Sequence, residues 1–338
     1  MWKDHRMHEK GLPKRIRISL GSAVVLGLAD GRLDAEPTTV YMLTYRPGKC
    51  TASCAFCPQS KLSEGRSDLL SRVVWPIFDT ANVTQRIAEA FTGRKITRAC
   101  IQALNYPKVQ DDLVCLARKI RSLSDVPISV SCQPLRREDM YKLAKAGVSR
   151  ASIALDAVTK ELFDEVKGAL IGGPYTWEGH LEALKEAVEV FGEDHVTTHL
   201  MAGLGEKEED FTAMIQRCVD SGVYPALFAF TPVPGTVMAD RHPPSLRAYR
   251  RLQLAHYLIT RKKTRYEDMR FTDSQLIDFC LPREELQRIV RTGEPFRTSG
   301  CPGCNRPYYN ERPGGPIYNY PTKPTSTEIA EIEQTLGS

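Results

Sequence analysis

Six short runs rich in β-branched and aromatic residues alternate with stretches of helical periodicity, and this alternation most constrains how the 338-residue chain folds. The six runs are Val40 to Tyr45, Arg98 to Leu104, Pro127 to Cys132, Arg150 to Asp156, His195 to Ala202 and Tyr224 to Val233. Strands that alternate with helices form a parallel sheet with right-handed crossovers. The sequence therefore predicts an α/β fold in which six β/α units curl into a partial TIM-type barrel.

Two of the intervening stretches show one apolar face at helical spacing. Their apolar positions are Leu181, Leu184, Val188 and Phe191 in the first, and Phe211, Met214, Ile215 and Cys218 in the second. Such faces predict helices that pack against the sheet.

Composition and charge exclude several classes of protein. Apolar residues make up 42% and charged residues 26% of the chain, with no low-complexity tract and no run of about 18 apolar residues. The formal charge of +5 is too small over this surface to require a nucleic acid partner. The first residues are basic but lack an apolar signal-peptide core, so we expect a soluble, cytoplasmic protein with no membrane contact.

Three of the ten cysteines, Cys50, Cys54 and Cys57, follow the first strand at C-x3-C-x2-C spacing. Thiolates so spaced on a loop can bind three irons of a cubane cluster and leave the fourth iron open to a substrate. Structural zinc is the alternative, although zinc prefers paired C-x2-C units. Because catalytic residues of barrels lie at the carboxyl ends of the strands, this loop is the candidate active site.

The loop is similar to the cluster loop of the radical S-adenosylmethionine enzymes, in which an aromatic residue, here Phe56, precedes the last cysteine. Over Thr39 to Asp240 the chain resembles biotin synthase and its relatives, in the segments Cys57 to Ser60, Met201 to Glu206 and Thr231 to Thr236. The resemblance implies a [4Fe-4S] cluster that reduces bound S-adenosylmethionine. The 5'-deoxyadenosyl radical so formed abstracts hydrogen from an unactivated carbon.

The same resemblance implies which residues contact the cofactor. Ala103, Leu104 and Asn105, at the end of the second strand, would lie along its methionyl part, and Asp156 would lie near the ribose or the substrate. The alternative for Asp156 is a helix N-cap before Val158 to Val166.

The chain departs from biotin synthase at the two-iron cluster that this enzyme holds inside its barrel. Cys100 and Cys132 stand at comparable strand positions, but the third cysteine position falls on or close to Thr197. We therefore expect Cys100, Cys115, Cys132 and Cys218 to be small buried side chains, and His199 to be a core histidine.

A second group of cysteines, Cys280, Cys301 and Cys304, lies beyond the barrel. A helix from Arg283 to Arg291, opened by Pro282 and ended by Gly293, would return the chain so that all three meet. A second iron-sulfur cluster, of the [4Fe-4S] type, is one interpretation. A zinc site completed by His242 or His256 is the other.

The segments Ser299 to Glu311 and Gly315 to Pro321 resemble one subunit, the second, of the two-protein lipoyl synthase. The resemblance implies sulfur insertion into an octanoyl chain carried on a lysine of a lipoyl domain or H protein. It also implies a second radical enzyme as partner and a ferredoxin-type reductant. Biotin synthase or another radical sulfurtransferase, and a non-catalytic iron-sulfur or zinc protein, remain alternatives.

The predicted domains are an N-terminal extension over residues 1–38, the barrel over 39–240 and a C-terminal extension over 241–338 that folds over the barrel mouth and carries the second cluster.

Overall fold

The computed structural model describes residues 11–311 and 314–337. Its strands are β1 Arg15–Ile18, β2 Thr39–Thr44, β3 Leu69–Leu70, β4 Val73–Val74, β5 Ile77–Asp79, β6 Arg98–Gln102, β7 Ile128–Cys132, β8 Val148–Ile153, β9 Val196–Ala202, β10 Val223–Ala229, β11 Arg270–Thr272 and β12 Gln275–Asp278. Its α-helices are α1 Leu20–Val25, α2 Thr80–Thr92, α3 Val109–Leu123, α4 Arg137–Lys145, α5 Lys160–Val166, α6 Trp177–Phe191, α7 Glu208–Asp220, α8 Leu246–Thr260, α9 Arg283–Thr292 and α10 Ser326–Gly337.

The main sheet has eight strands in the order β10-β9-β8-β7-β6-β2-β1-β5. The six predicted strands are confirmed as β2 and β6 to β10, and each pairs in parallel with its neighbour. The chain therefore has an α/β fold with a mostly parallel sheet, as expected for a partial barrel. No helix among the described residues is both long and apolar enough to cross a membrane.

Helices α2 to α4 and α6 to α8 pack against strands of the main sheet through their apolar sides. In α7, Phe211, Met214, Ile215 and Cys218 are all buried, as the spacing predicts. In α6, Leu184 is buried, while Leu181, Val188 and Phe191 are half-buried against the same core. Burying one such apolar side chain contributes about 1.5–3 kcal/mol, so these faces fix the helices to the sheet.

Strand β1 joins the N-terminal part of the chain to the same sheet. It pairs antiparallel with β2, with Ile16 opposite Thr44, and also with β5. The predicted boundary at residue 38 therefore falls between two neighbouring strands of one sheet. Residues 1–10 of the predicted extension lie outside the described residues.

The residues from Ser299 to Asn310, here called the closing segment, run along the free edge of β10. Leu227 donates its backbone N–H to Ser299 Oγ at 2.8 Å, and Asn310 Nδ2 donates to the Ala229 carbonyl at 2.8 Å. On its other side the segment reaches β2, since Tyr41 Oη accepts the Arg306 N–H at 2.9 Å. The closing segment thus bridges β10 and β2 and satisfies backbone groups that an open edge would leave unpaired.

Arg250 of α8 holds the chain that follows the closing segment. Its side chain is 1% exposed and donates to the Tyr318 carbonyl at 2.6 Å and to the Ile317 carbonyl. Its guanidinium group lies over the rings of Phe296 and Tyr320, at 5.5 and 5.2 Å from their centroids. Burying a cation is costly unless it forms hydrogen bonds, so the bonds from the two terminal nitrogens of Arg250 tie this chain to α8.

Candidate active site

The loop that carries Cys50, Cys54 and Cys57 lies at the carboxyl end of β2 and is held by backbone hydrogen bonds. Cys50 donates its N–H to the Gln59 carbonyl at 2.9 Å, and Cys57 donates to the Cys54 carbonyl at 3.2 Å. Ala55 N–H donates to the Val166 carbonyl at 2.8 Å, which fixes the loop to the end of α5. These bonds bring the three thiols to one place at the carboxyl face of the sheet.

The surroundings of these thiols fit a cluster of iron and sulfide. Cys50 Sγ accepts the Asn105 backbone N–H at 3.1 Å. Burial raises the pKa of the Cys57 thiol to about 12 and also raises the pKa of Cys54, which Lys167 partly offsets. A bound cationic metal centre would supply the charge that stabilises such buried thiolates.

Among the residues that the structure describes, no three His, Cys, Asp or Glu side chains form a site for a single metal ion. In a cluster each thiolate binds its own iron, so its sulfurs need not meet at one point.

Asp156 forms a buried ion pair rather than a helix cap. The Lys167 side chain is fully buried, and its Nζ lies 2.7 Å from Asp156 Oδ2. The cap of α5 is Thr159, whose side chain accepts the Leu162 N–H, so the N-cap alternative for Asp156 is wrong. Asp156 lines the central cavity described below, with φ of 66°. The predicted position near bound cofactor or substrate therefore remains available to it.

The other predicted cofactor residues surround the cysteine loop. Asn105 contacts Cys50 as described and donates its side-chain amide to Tyr175 Oη at 2.9 Å. Ala103 and Leu104 lie between β6 and Asn105. The backbone N–H of Ala103 donates to the Ser131 carbonyl, and that of Leu104 donates to Thr44 Oγ1. Phe56 lines the central cavity beside Cys57. The predicted set thus lies at one end of the sheet.

One cavity of about 190 Å³, here called the central cavity, runs through the inside of the curled sheet. Phe56, Cys57 and Pro58 line it at the carboxyl face, and Cys301 and Cys304 line it at the other. Its wall is mostly apolar between these ends. Side chains from the strands and the closing segment that line it include Tyr41, Cys100, Gln102, Ser129, Ser131, Ser152, Thr197, His199, Met201, Phe228, Phe230, Arg306 and Tyr309.

The far end of the central cavity holds a second thiol group, formed by Cys100, Cys301 and Cys304. Burial raises the pKa of Cys100, and the neighbouring Cys301 and Cys304 raise it further. Cys301 Sγ lies 3.5 Å from Ser129 Oγ, and Cys304 Sγ lies 3.4 Å from Tyr41 Oη. We refer to these three cysteines as the base thiol group.

Two arginines flank the base thiol group. Arg98 is 8% exposed and donates to the Pro302 carbonyl at 3.3 Å and to Ser129 Oγ at 3.1 Å. Arg306 donates to the Ser299 carbonyl at 2.8 Å, and its guanidinium carbon lies 3.9 Å from the centroid of the Phe228 ring. Both cations act to lower the pKa of Cys100, against the effect of burial. Their charge favours thiolates at this end.

Three predictions about the cysteines differ from the structure, two for the C-terminal cysteines and one for Cys100. Cys280 is exposed in the turn after β12. It lines neither the central cavity nor the second, outer cavity that Cys301 and Cys304 also line. The pair lies at the amino ends of the strands, because Gly303 accepts from Thr38, which precedes β2. It does not lie over the barrel mouth. Cys100, predicted as a core side chain, faces the central cavity instead.

Some of the other cysteines and histidines are core side chains, as predicted, but His199 lines the central cavity. Cys132 and Cys218 are buried, 6% and 5% exposed, and neither lines the central cavity. His256 donates Nε2–H to the Pro225 carbonyl at 2.7 Å, and burial lowers its pKa to about 4. His199 does line the central cavity, where its Nε2 lies 3.2 Å from Ser152 Oγ. Thr197, at the missing third cysteine position, also lines it.

The sequence analysis did not identify Arg98 and Arg306 as residues of the site, and it predicted Cys100 as a core side chain. A signal for the first was present, since alternate residues of a strand share one face, and Arg98, Cys100 and Gln102 are alternate residues of β6. Arg306 follows Cys304 by two residues. Its side chain turns inward only because the closing segment lies along β10, which the sequence does not show.

Comparison with known proteins places this site in a family. The sequence model of the Radical SAM superfamily matches residues 45–218, more than half of the chain and including the three-cysteine loop. The chain belongs to the radical SAM superfamily. Membership implies a [4Fe-4S] cluster and S-adenosylmethionine, which the residues around Cys50, Cys54 and Cys57 fit. No curated protein matches the sequence.

Solved structures show the same fold at low identity. The FeFe-hydrogenase maturase HydG from Carboxydothermus hydrogenoformans superposes with a TM-score of 0.52 at 18% identity, covering 67% of this chain and 52% of that one. Methylornithine synthase (PylB) superposes with a TM-score of 0.50 at 14% identity, covering 72% and 68%. The chain thus spans about half of the HydG structure. These likenesses concern the fold alone.

Proposed function

We propose that this radical SAM protein inserts sulfur into an octanoyl chain carried on a lysine of a lipoyl domain or H protein. It would act as a lipoyl synthase together with a second radical SAM protein and a ferredoxin-type reductant. One observation carries the proposal: the central cavity connects the three-cysteine loop at one end with the base thiol group at the other. A sulfur-inserting enzyme needs a radical source and a sulfur source on either side of one substrate carbon.

The residues at the carboxyl face would prepare the radical step. Cys50, Cys54 and Cys57 would hold the first cluster, and the Asp156–Lys167 pair and Asn105 would fix the cofactor pocket around it. When bound, the cluster and S-adenosylmethionine supply a carbon-centred radical that removes a hydrogen atom from an unactivated carbon. The protein's own task is to hold that carbon within van der Waals reach and to exclude water.

The wall of the central cavity suits an aliphatic chain. Met201, Phe228 and Phe230 line it with apolar surface, and Tyr309 closes its side through ring contact with Tyr41, with centroids 5.1 Å apart. An acyl chain that replaces water there gains about 0.8 kcal/mol for each buried CH₂ group. This gain would draw the octanoyl chain inward while the carrier protein stays outside.

The base thiol group would hold the sulfur source as a second iron-sulfur cluster, with Cys100 in the place that the sequence assigned to Cys280. Arg98 and Arg306 would stabilise its negative charge. When bound, the second cluster would supply the sulfur that replaces the abstracted hydrogen atom, and its iron would accept the one electron released when sulfide bonds to the carbon radical. Cys100, Cys301 and Cys304, which would hold this cluster, all line the central cavity in which the substrate would lie.

A sulfurtransferase that acts on another aliphatic acceptor, as biotin synthase does, is the second candidate. The same cavity supports it, because apolar walls do not select an octanoyl chain from other aliphatic chains. Thr197 takes the place of the third barrel cysteine of biotin synthase, which weighs against that enzyme itself. A non-catalytic iron-sulfur or zinc protein would leave the cofactor residues around Cys50 without a role.

The test is an anaerobic assay of the reconstituted protein with its partner radical protein, octanoyl-lysyl peptide, S-adenosylmethionine and a reductant. We expect peptide masses that correspond to added sulfur, together with 5'-deoxyadenosine. Desthiobiotin, offered in a parallel assay, should stay unchanged. Cleavage of S-adenosylmethionine without any sulfur-containing peptide would contradict the octanoyl assignment, and sulfur in desthiobiotin would favour the second candidate.

A further inference from the structure

A second cavity meets the base thiol group from outside. This cavity, of about 550 Å³ and here called the base pocket, lies at the amino ends of β2, β6 and β10. Cys301 and Cys304 line it, and both also line the central cavity. The two thiols therefore lie between the central cavity inside the sheet and the base pocket at the outer surface.

The residues that line both cavities belong to the closing segment. It contains Gly300 and Gly303, whose φ angles are 152° and 79°. A Cβ atom at Gly303 would lie 2.5 Å from Thr97 Oγ1, and one at Gly300 would lie 3.4 Å from Cys304 Sγ. Glycine at these positions allows the positive φ angles, and at Gly303 it lets the chain pass close to Thr97 beside the amino end of β6.

The rim of the base pocket is exposed and carries a small excess of positive charge. Its cations are Arg261, Arg297 and Lys323, and its carboxylates are Glu36 and Glu294. Arg297 pairs with Glu294 at 3.1 Å. Within the residues described by the structure, Arg261 and Lys323 make no ion pair with a carboxylate. Such a rim suits a small anion better than a cation.

We propose that the base pocket is the opening through which hydrosulfide reaches Cys301 and Cys304, so that the second cluster regains its sulfur without passage through the substrate cavity. This inference rests on the proposed function, in which each product molecule removes sulfur from the base thiol group. Each HS⁻ that enters would give up its proton to water in the base pocket and would become one sulfide of the cluster. The sulfur keeps its oxidation state, so this step needs no electron donor.

The first experiment measures access alone, on folded, cluster-free protein. Iodoacetamide labelling at pH 9 is followed at each cysteine by peptide mass spectrometry. Thr260→Trp and Thr322→Trp place an indole in the base pocket, and Thr260→Ser serves as the matched control. We expect labelling of Cys301 and Cys304 to slow by about tenfold in either Trp variant, because thiol reactivity depends on access. Labelling of Cys50, Cys54 and Cys57 should not change.

The second experiment follows sulfide itself. Wild type and the Trp variants are reconstituted with ferrous iron and labelled sulfide, and the growth of each cluster is followed by Mössbauer spectroscopy. The second cluster should form more slowly in the Trp variants, by a similar factor, while the first forms at the wild-type rate.

Unchanged labelling of Cys301 and Cys304 in a folded Trp variant would overturn the proposal, since the reagent would then arrive through the central cavity. Thr322 is exposed, so Thr322→Trp decides the result if Thr260→Trp does not fold. Labelling needs neither cluster nor substrate. If the Trp variants slow labelling but no second cluster forms in any variant, the proposed function is wrong, although the base pocket is still the route to the two thiols. If the second cluster forms at the same rate in all variants, the hydrosulfide route is wrong.

Discussion

The two cysteine groups of this protein are built in opposite ways. Cys50, Cys54 and Cys57 lie within eight residues, and hydrogen bonds of one loop arrange them. The base thiol group combines Cys100 of β6 with a pair about two hundred residues later, and it exists only when the closing segment lies along β10. The first group is thus a local structure and the second a product of the whole fold, so the two should respond separately to mutation.

The largest expected effect comes from replacing Cys50, Cys54 and Cys57 together by alanine. S-adenosylmethionine cleavage should be lost completely, because the first cluster has no other ligands. The base thiol group should keep its own cluster, and iron and sulfide counting with Mössbauer spectroscopy should find about four irons instead of about eight. A variant without any iron would mean that the base thiol group binds no cluster.

The next test compares Cys100→Ala with Cys280→Ala. We expect Cys100→Ala to lose the second cluster and all sulfur insertion while S-adenosylmethionine cleavage continues. Cys280→Ala should keep both activities, since Cys280 is exposed and away from both cavities. Iron counting and the peptide assay measure the outcome. If Cys280→Ala loses the second cluster and Cys100→Ala keeps it, the third ligand is Cys280, as the sequence predicted.

Lys167→Met tests the support beneath the cysteine loop. Its removal leaves Asp156 as a buried charge without its partner, which should lower the free energy of unfolding by about 3–5 kcal/mol. Urea denaturation of the cluster-free protein measures this. The control is Lys160→Met, whose ion pair with Glu178 is exposed and screened by water, so its loss should change stability little. Equal effects in the two variants would contradict the role given to Lys167.

Arg250→Met tests the support of the base thiol group. The variant leaves the Ile317 and Tyr318 carbonyls without their donor, which should cost about 2–3 kcal/mol of stability. More specifically, an iron chelator should remove the second cluster faster than in the wild type and the first cluster at the same rate. Arg247→Met, at an exposed position of the same helix, is the control. Loss of both clusters together would show that the two groups are not independent.

The sequence was most informative where structure depends on near neighbours. All six predicted parallel strands are present, because runs of apolar residues between helices identify buried strands. Their ends agree less well, since β10 ends at Ala229 and not at the predicted Val233. The helix Arg283–Thr292 and its end at Gly293 agree with prediction for a similar reason, since caps and periodicity act over a few residues. The candidate cofactor residues beside Cys50 were predicted from the family resemblance.

The prediction was weaker wherever distant segments meet. The sequence showed that Cys301 and Cys304 form a pair, but it offered Cys280 as their nearest third member. Distance along the chain is a poor guide here, because the turn after β12 leaves Cys280 exposed. Asp156 was likewise assigned a local alternative, while its true partner Lys167 lies eleven residues away beyond a helix.

The amino-acid sequence by itself therefore determined the α/β fold, the strand order along the chain and the three-cysteine loop, since these rest on periodicity and on short spacing. Only the tertiary structure decided that the closing segment bridges β10 and β2 and brings Cys301 and Cys304 to Cys100. The physical reason is that the free edge of β10 needs hydrogen-bond partners, and Ser299 and Asn310 supply them from far along the chain.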